Sequence, residues 1–133
     1  KMNQATYGYS RNLGKVTFEE ATSRIEVALK TEGFGVLNEI DVKSTLKEKI
    51  DVDFKKYKIL GACNPKLAHH ALLSEPLIGL LLPCNIVVME EDDGTVTVSA
   101  AKPSELFKIV QNPEIKGVAK EVDSKIQRVV ELI

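Results

Sequence analysis

The sequence is short of the residues from which several protein classes are built. Cysteine occurs only twice in 133 residues, too few for the multi-bridge framework of a disulfide scaffold. Eight glycines and five prolines exclude a collagen-like repeat and a Gly/Pro-rich disordered tract. Neither sign of charge dominates, since eighteen Lys and Arg against nineteen Asp and Glu leave a formal net charge of -1. Binding along a phosphate backbone draws on a concentrated excess of basic residues, so nucleic acid is not an expected partner. The one basic cluster, Lys47, Lys49, Lys55, Lys56 and Lys58, is interleaved with Glu48, Asp51 and Asp53. Gly-rich phosphate loops are missing, as are the Gly-x-Ser-x-Gly elbow and the His-Glu-x-x-His motif. Those routes to nucleotide binding, serine hydrolysis and zinc proteolysis are closed.

The longest apolar stretch, Ala71 to Met89, approaches the ~20 residues that span a bilayer. It contains Ser74, Glu75, Pro76, Pro83 and Asn85, which would leave charge and backbone unsatisfied in lipid. A helix end, a buried turn and a core strand are expected there instead, in a soluble protein without a membrane partner. Lys1 precedes Met2, so the natural start is expected at Met2. The residues Asn3 to Tyr7 are not the apolar centre of a secretory signal, so a cytoplasmic location is expected.

What is present is a single domain's worth of patterned sequence, 44% hydrophobic and 28% charged. Tyr7 to Arg11 reads as a short strand with a turn at Asn12-Leu13-Gly14. Thr17-Phe18-Glu19-Glu20 has the form of a capping box. Phe18, Ala21, Ile25, Ala28 and Leu29 then recur at helical spacing until Gly33, predicting a helix over Phe18 to Glu32. Phe34 to Val42 is extended, with Val36 and Ile40 facing inward. Lys43 to Ile50 reads as a charged helix with Leu46 and Ile50 on one side, and Tyr57 to Ala62 as a strand. Asn64 is a favoured cap and Pro65 a favoured first residue, so a helix starts at Pro65 and runs to about Leu73. Asn85 to Met89 and Thr95 to Ala100 flank Asp92-Asp93-Gly94, a hairpin signal.

After Pro103 a short helix, Ser104 to Val110, stops at Asn112-Pro113. The last helix carries Ile115, Val118, Ala119, Val122, Ile126, Val129 and Ile133 on one stripe, with Lys116, Lys120, Asp123, Lys125 and Arg128 opposite. The order β-α-β-α-β-α-β-β-α-α predicts a two-layer α+β sandwich. Its sheet would be mixed or antiparallel, with four to five strands and helices on one face. The whole chain is one domain, its core at about 5–101, with the helices of 103–133 packing on the core or on a partner subunit.

Chemistry concentrates at two seams. Cys63 ends a strand immediately before the Asn64 cap, where the positive end of a helix dipole favours a thiolate. Cys84 follows Pro83 and opens the next strand. If those two strands are antiparallel neighbours, Cys63 and Cys84 meet at one sheet edge, and Cys63, Asn64, Pro65, Pro83 and Cys84 outline a pocket. Buried cysteine is also a common apolar filler, so a structural role stands beside a reactive thiol pair and a metal site. For zinc, Cys63, Cys84 and His69 would supply three donors. His69 and His70 project away from the stripe of Leu67, Ala68, Ala71 and Leu72, toward solvent or a subunit interface. The acidic pairs Glu19-Glu20, Glu90-Glu91 and Asp92-Asp93 read as solvated turns and helix starts.

The segments Tyr57-Lys58-Ile59-Leu60-Gly61-Ala62-Cys63-Asn64-Pro65, with Ala68, and Gly79-Leu80-Leu81-Leu82-Pro83-Cys84-Asn85 resemble the domain-of-unknown-function 302 family. The helix leaving through Gly33-Phe34 and the Gly94 hairpin fit as well, so the resemblance covers about Val16 to Ala101. It implies a small α+β fold, found as a dimer in that family, with no established activity. The region after Pro103 departs from the shared core and is expected to serve packing or dimerisation. The functional expectation is a homodimeric binding or accessory domain with a small-molecule or metal pocket at Cys63 and Cys84. A thiol-dependent enzyme, with Cys63 reactive and Cys84 resolving, and a purely structural interaction domain are the alternatives.

Overall fold

The structure, a computed structural model, describes residues 5–133; Lys1 to Gln4, where the natural start was read, lie outside the described residues. Five strands form one antiparallel sheet: β1 (Gly8–Asn12), β2 (Gly35–Asp41), β3 (Tyr57–Cys63), β4 (Cys84–Glu90) and β5 (Val96–Ala101). Their order across the sheet is β1-β5-β4-β3-β2. Strands β2 to β5 are thus a meander, and β1 closes onto β5 from the other end of the chain. Five helices connect or flank them: α1 (Phe18–Thr31), α2 (Val42–Ile50), α3 (Pro65–Ser74), α4 (Pro103–Leu106) and α5 (Pro113–Leu132). A 3-10 helix at Pro76–Leu81 follows α3, and another at Phe107–Ile109 continues α4. The α+β class and the order of elements are those expected, and every strand pair is antiparallel.

Local signals set the helix starts. Thr17 Oγ1 accepts from the Glu20 amide at 3.0 Å, Asn64 Oδ1 from Leu67 at 3.3 Å and Asn112 Oδ1 from Glu114 at 3.0 Å. The α1 helix ends at Gly33, whose φ of +82° is the left-handed conformation that glycine adopts without steric cost. Between β4 and β5, Gly94 takes a φ of +84° while Asp93 Oδ1 accepts from the Thr95 amide at 2.9 Å.

Alternation along the strands divides the sheet into two faces. Leu60, Ile86, Val88, Val98 and Ala100 lie on the face covered by α1 and α5 and are fully or almost fully buried there. Ile25 and Leu29 of α1 and Ile115, Ile126 and Val129 of α5 meet them at zero exposure. Among the described residues no helix is long and apolar enough to cross a membrane.

Two expectations need correction. Val36 is half-buried on the helix-covered face, but Ile40 is not its companion. The register shifts between Val36 and Asn38, and this bulge reverses the alternation, so Ile40 pairs with Ile59 on the opposite face and is 46% exposed. Asp123, placed with the polar side of the last helix, is buried. Its carboxylate accepts from the Tyr9 hydroxyl, from the Ser104 hydroxyl and, at 3.2 Å, from the Ser104 amide, tying α5 to β1 and α4. Burial and then the Asp123 carboxylate push the Tyr9 phenol up to about 12.

Candidate functional site

Cys63 and Cys84 meet because β3 and β4 are antiparallel neighbours. Ala62 stands opposite Cys84, and Cys63 is the next residue, itself opposite Gly35 on β2. Both thiols are free. The segment between them makes the excursion read from the sequence: α3 leaves the sheet, the 3-10 helix Pro76–Leu81 turns back, and Pro83 re-enters at β4. Gly61 is what lets the return close tightly. A methyl at that position would overlap the Asn38 side chain and stand 2.7 Å from Pro83 Cγ. The glycine and the proline of the two sequence segments therefore pack against each other across the strands, and the peptide between Leu82 and Pro83 is cis.

Polar side chains fix the excursion from outside. Asn64 Nδ2 donates to the Glu32 carbonyl at 3.2 Å, fastening the start of α3 to the end of α1. Glu32 is itself gripped by Arg128 of α5 through two hydrogen bonds of 3.0 and 3.1 Å, and this pairing holds its carboxyl below the usual range. At the far end of α3, Asn112 Nδ2 donates to the Ser74 carbonyl and hydroxyl and to Glu75. Helix α3 is thus pinned at both ends against α1 and α5, with a gap left beneath its middle.

That gap is a cavity of about 320 Å³ with an open mouth. Phe34, Ala62 and Cys84 form its floor on the sheet side, and Leu67, Ala68, Ala71 and Leu72 of α3 form one wall. Phe107, Val118 and Val122 close it from the C-terminal helices, and Cys63, Asn64 and Pro83 stand along it. Of the five residues expected to outline a pocket, four do; Pro65 lies outside the lining, in the exposed first turn of α3. The wall is almost wholly carbon and sulfur. Its one polar side chain, Asn64, has its oxygen engaged by Leu67 and its nitrogen by Glu32.

The apolar wall decides the state of the thiols. Burial pushes the Cys63 thiol up, and burial followed by the charge of Cys63 pushes Cys84 up to about 11. The expectation that the α3 dipole favours a Cys63 thiolate is reversed in direction. Withdrawal of the thiolate from water is the cause acting on Cys63, and it works against the dipole. His69 and His70 are exposed, as their spacing indicated, and His70 Nε2 is 3.6 Å from Glu114. His69 does not join the cysteines: among the described residues no three His, Cys, Asp or Glu side chains converge as metal ligands. The zinc trio of Cys63, Cys84 and His69 is therefore not assembled, because the helical turn that places Leu67 and Ala71 on the cavity turns His69 to solvent.

Comparison with known proteins places this geometry. The profile of the family described as Domain of unknown function DUF302 matches residues 9–133. The chain belongs to this family. A crystal structure of an uncharacterized conserved DUF302 protein from Bacillus stearothermophilus is similar to it at 33% identity and a TM-score of 0.86. The similarity covers 96% of this chain and 98% of that one. No curated protein matches. The DUF302 match continues to residue 133, so the helices after Pro103 do not depart from the family's domain. The physical reason is visible in the core, where α5 contributes eight buried residues. The side of the cavity away from α3 and the sheet is closed by Phe107, Val118 and Val122 from that same region. Sequence reading missed these three as site residues because nothing local distinguishes an apolar residue lining a cavity from one filling the core.

Proposed function

We propose that this DUF302 domain is a binding domain whose cavity beside Cys63 and Cys84 receives a small apolar ligand, and that it works as a homodimer. The observation that carries the ligand reading is an open-mouthed cavity of about 320 Å³ with almost no polar atom in its wall. That volume is at the lower end of the ~300–1,000 Å³ typical of small-molecule sites. Both thiols are held toward the neutral form, which suits packing against a ligand rather than nucleophilic attack. Two free cysteines also suit a reducing compartment such as the cytoplasm.

The homodimer reading is supported by the face of the sheet that α1 and α5 leave bare. By register it carries Tyr57, Ile59, Val87 and Met89 at its centre, Ile40 at one edge, and Asn38, Asn85, Ser99 and Ser10 around them. None of these side chains is charged, although on the same face Glu91 accepts from the Thr97 hydroxyl. In a two-fold interface each patch meets its own copy, so an uncharged centre faces no like-charge repulsion.

The test of the ligand site is titration of the purified full chain with the apolar dye N-phenyl-1-naphthylamine, together with iodoacetamide labelling near neutral pH. One dye bound per chain, protecting Cys63 from slow alkylation, is the expected outcome. A Cys63 that reacts faster than free cysteine, with no dye bound, would replace this reading with the thiol enzyme.

A further inference from the structure

We infer that the cavity takes the unbranched alkyl chain of a free single-chain amphiphile, tail inward, with the polar head left in water at the mouth. The inference rests on the ligand-site reading above and adds the chemical class. The wall offers little hydrogen-bonding capacity: Asn64, its one polar side chain, already engages its oxygen with Leu67 and an N–H with Glu32, and the thiols of Cys63 and Cys84 are weak donors. Among the described residues no buried side-chain nitrogen or oxygen lacks a partner, so no orphan group is aimed at a ligand. A ligand that carried a carbonyl, hydroxyl or amine into such a wall would lose its hydrogen bonds to water and recover little; a hydrocarbon loses nothing. A methylene takes roughly the ~30 Å³ that a water occupies in the liquid, so a cavity of about 320 Å³ has room for on the order of ten carbons.

The mouth favours a chain over a compact ring system. Leu37 and Leu72 line the cavity yet are 67% and 41% exposed, so the apolar track continues outward past the opening. A flat or globular hydrocarbon would fill the interior and leave that track bare. A linear tail covers it and ends in solvent, where its head group needs no partner from the protein.

The experiment is competition of 1-hexanol through 1-tetradecanol against N-phenyl-1-naphthylamine on the full chain. Affinity is expected to rise about fourfold per methylene until about ten carbons and then to level off, with adamantane-1-methanol at least tenfold weaker than 1-decanol. Ala68→Phe, which fills the mouth from α3, should weaken decanol at least tenfold. If its melting temperature falls, Leu72→Gln on the exposed rim makes the same test and should weaken decanol several-fold. Dye binding that no alcohol displaces, or displacement indifferent to chain length, overturns the alkyl chain and leaves the ligand site standing. Failure of the dye and the alcohols alike overturns both. A response to phosphatidylcholine vesicles with none to free alcohols would place the occupant in a bilayer and overturn the free amphiphile.

Discussion

Helices α5 and α2 are both amphipathic in sequence, and the fold treats them in opposite ways. The twenty residues of α5 bury eight side chains against the sheet and α1, and they include the Asp123 carboxylate that anchors Tyr9 and Ser104. The nine residues of α2 bury none. Leu46 is only half-buried, and Ile50, Val52 and Phe54 in and after the helix are 62%, 40% and 37% exposed. A helix that short is marginal alone in water, and most helical stability in proteins comes from packing an apolar face. Within the chain α2 has its Asp41 cap, which accepts from the Ser44 amide at 3.0 Å, and Lys43, which donates to the Phe54 carbonyl at 2.6 Å. Helix α5 is a structural wall; α2 is a limb with an unfinished apolar side, in contact with β2 and β3.

The largest effect should separate these two helices directly. Ile126→Ala removes a fully buried side chain from α5 and is expected to cost about 2–5 kcal/mol, read from the urea midpoint. Leu46→Ala on α2 should cost less than that in dilute protein, because Leu46 keeps part of its surface in water whereas Ile126 keeps none. Equal losses at the two positions would erase the distinction.

A second effect belongs to the closed region alone. The Cys84 thiol, ordinarily near 9.0, is held at about 11 by burial and by Cys63. Below about pH 9 the folded and unfolded chains both keep this proton, so its contribution is fully present. Between about pH 9 and 11 the unfolded chain releases the proton and the native chain does not. The unfolded state then binds fewer protons, and stability falls as pH rises, by roughly 2–3 kcal/mol across the window. Urea unfolding at a series of pH values should show that slope in the parent chain and a clearly shallower one in Cys84→Ala, where the Cys63 thiol, also pushed up by burial, still contributes. A separate fall from Tyr9, between about pH 10 and its raised value of about 12, remains in both. A Cys84→Ala slope equal to the parent's would show that the thiol is not held neutral by the cavity.

What was legible in the sequence was chiefly what short-range chemistry decides. Thr17, Asn64-Pro65 and Asp93-Gly94 announce caps and a turn within a few residues, and each stands where expected. Cys63 and Cys84 came together because a short excursion between antiparallel strands must return to the same edge. Ile40 was misplaced because the bulge that turns it outward arises from pairing with β3, where Asn38 faces Gly61. Asp123 was misread because its charge argued for solvent, although it follows Ala119 by four residues and precedes Ile126 by three, a spacing that puts it beside the buried stripe. The thiols were misjudged in direction because a dipole is visible in sequence and a cavity is not. The cavity needs α3, the sheet and α5 together.

The smallest expected effect on unfolding tests what the limb is for. Ile50→Ser on α2 exchanges a 62% exposed apolar residue for a polar one and should change the stability of the dilute chain by no more than about 0.5 kcal/mol. If the bare sheet face and α2 meet a second copy, the same substitution removes an apolar contact from both halves of a two-fold interface, so its effect on association is doubled. Size-exclusion chromatography with light scattering should then show a dimer for the parent chain and a concentration-dependent shift toward monomer for Ile50→Ser. Ile109→Ser, at a 77% exposed position outside α2 and the bare face, should leave the dimer intact. A parent chain that stays monomeric at every concentration, or a dimer weakened only by Ile109→Ser, would move the interface away from α2 and leave its exposed side without a partner of this kind.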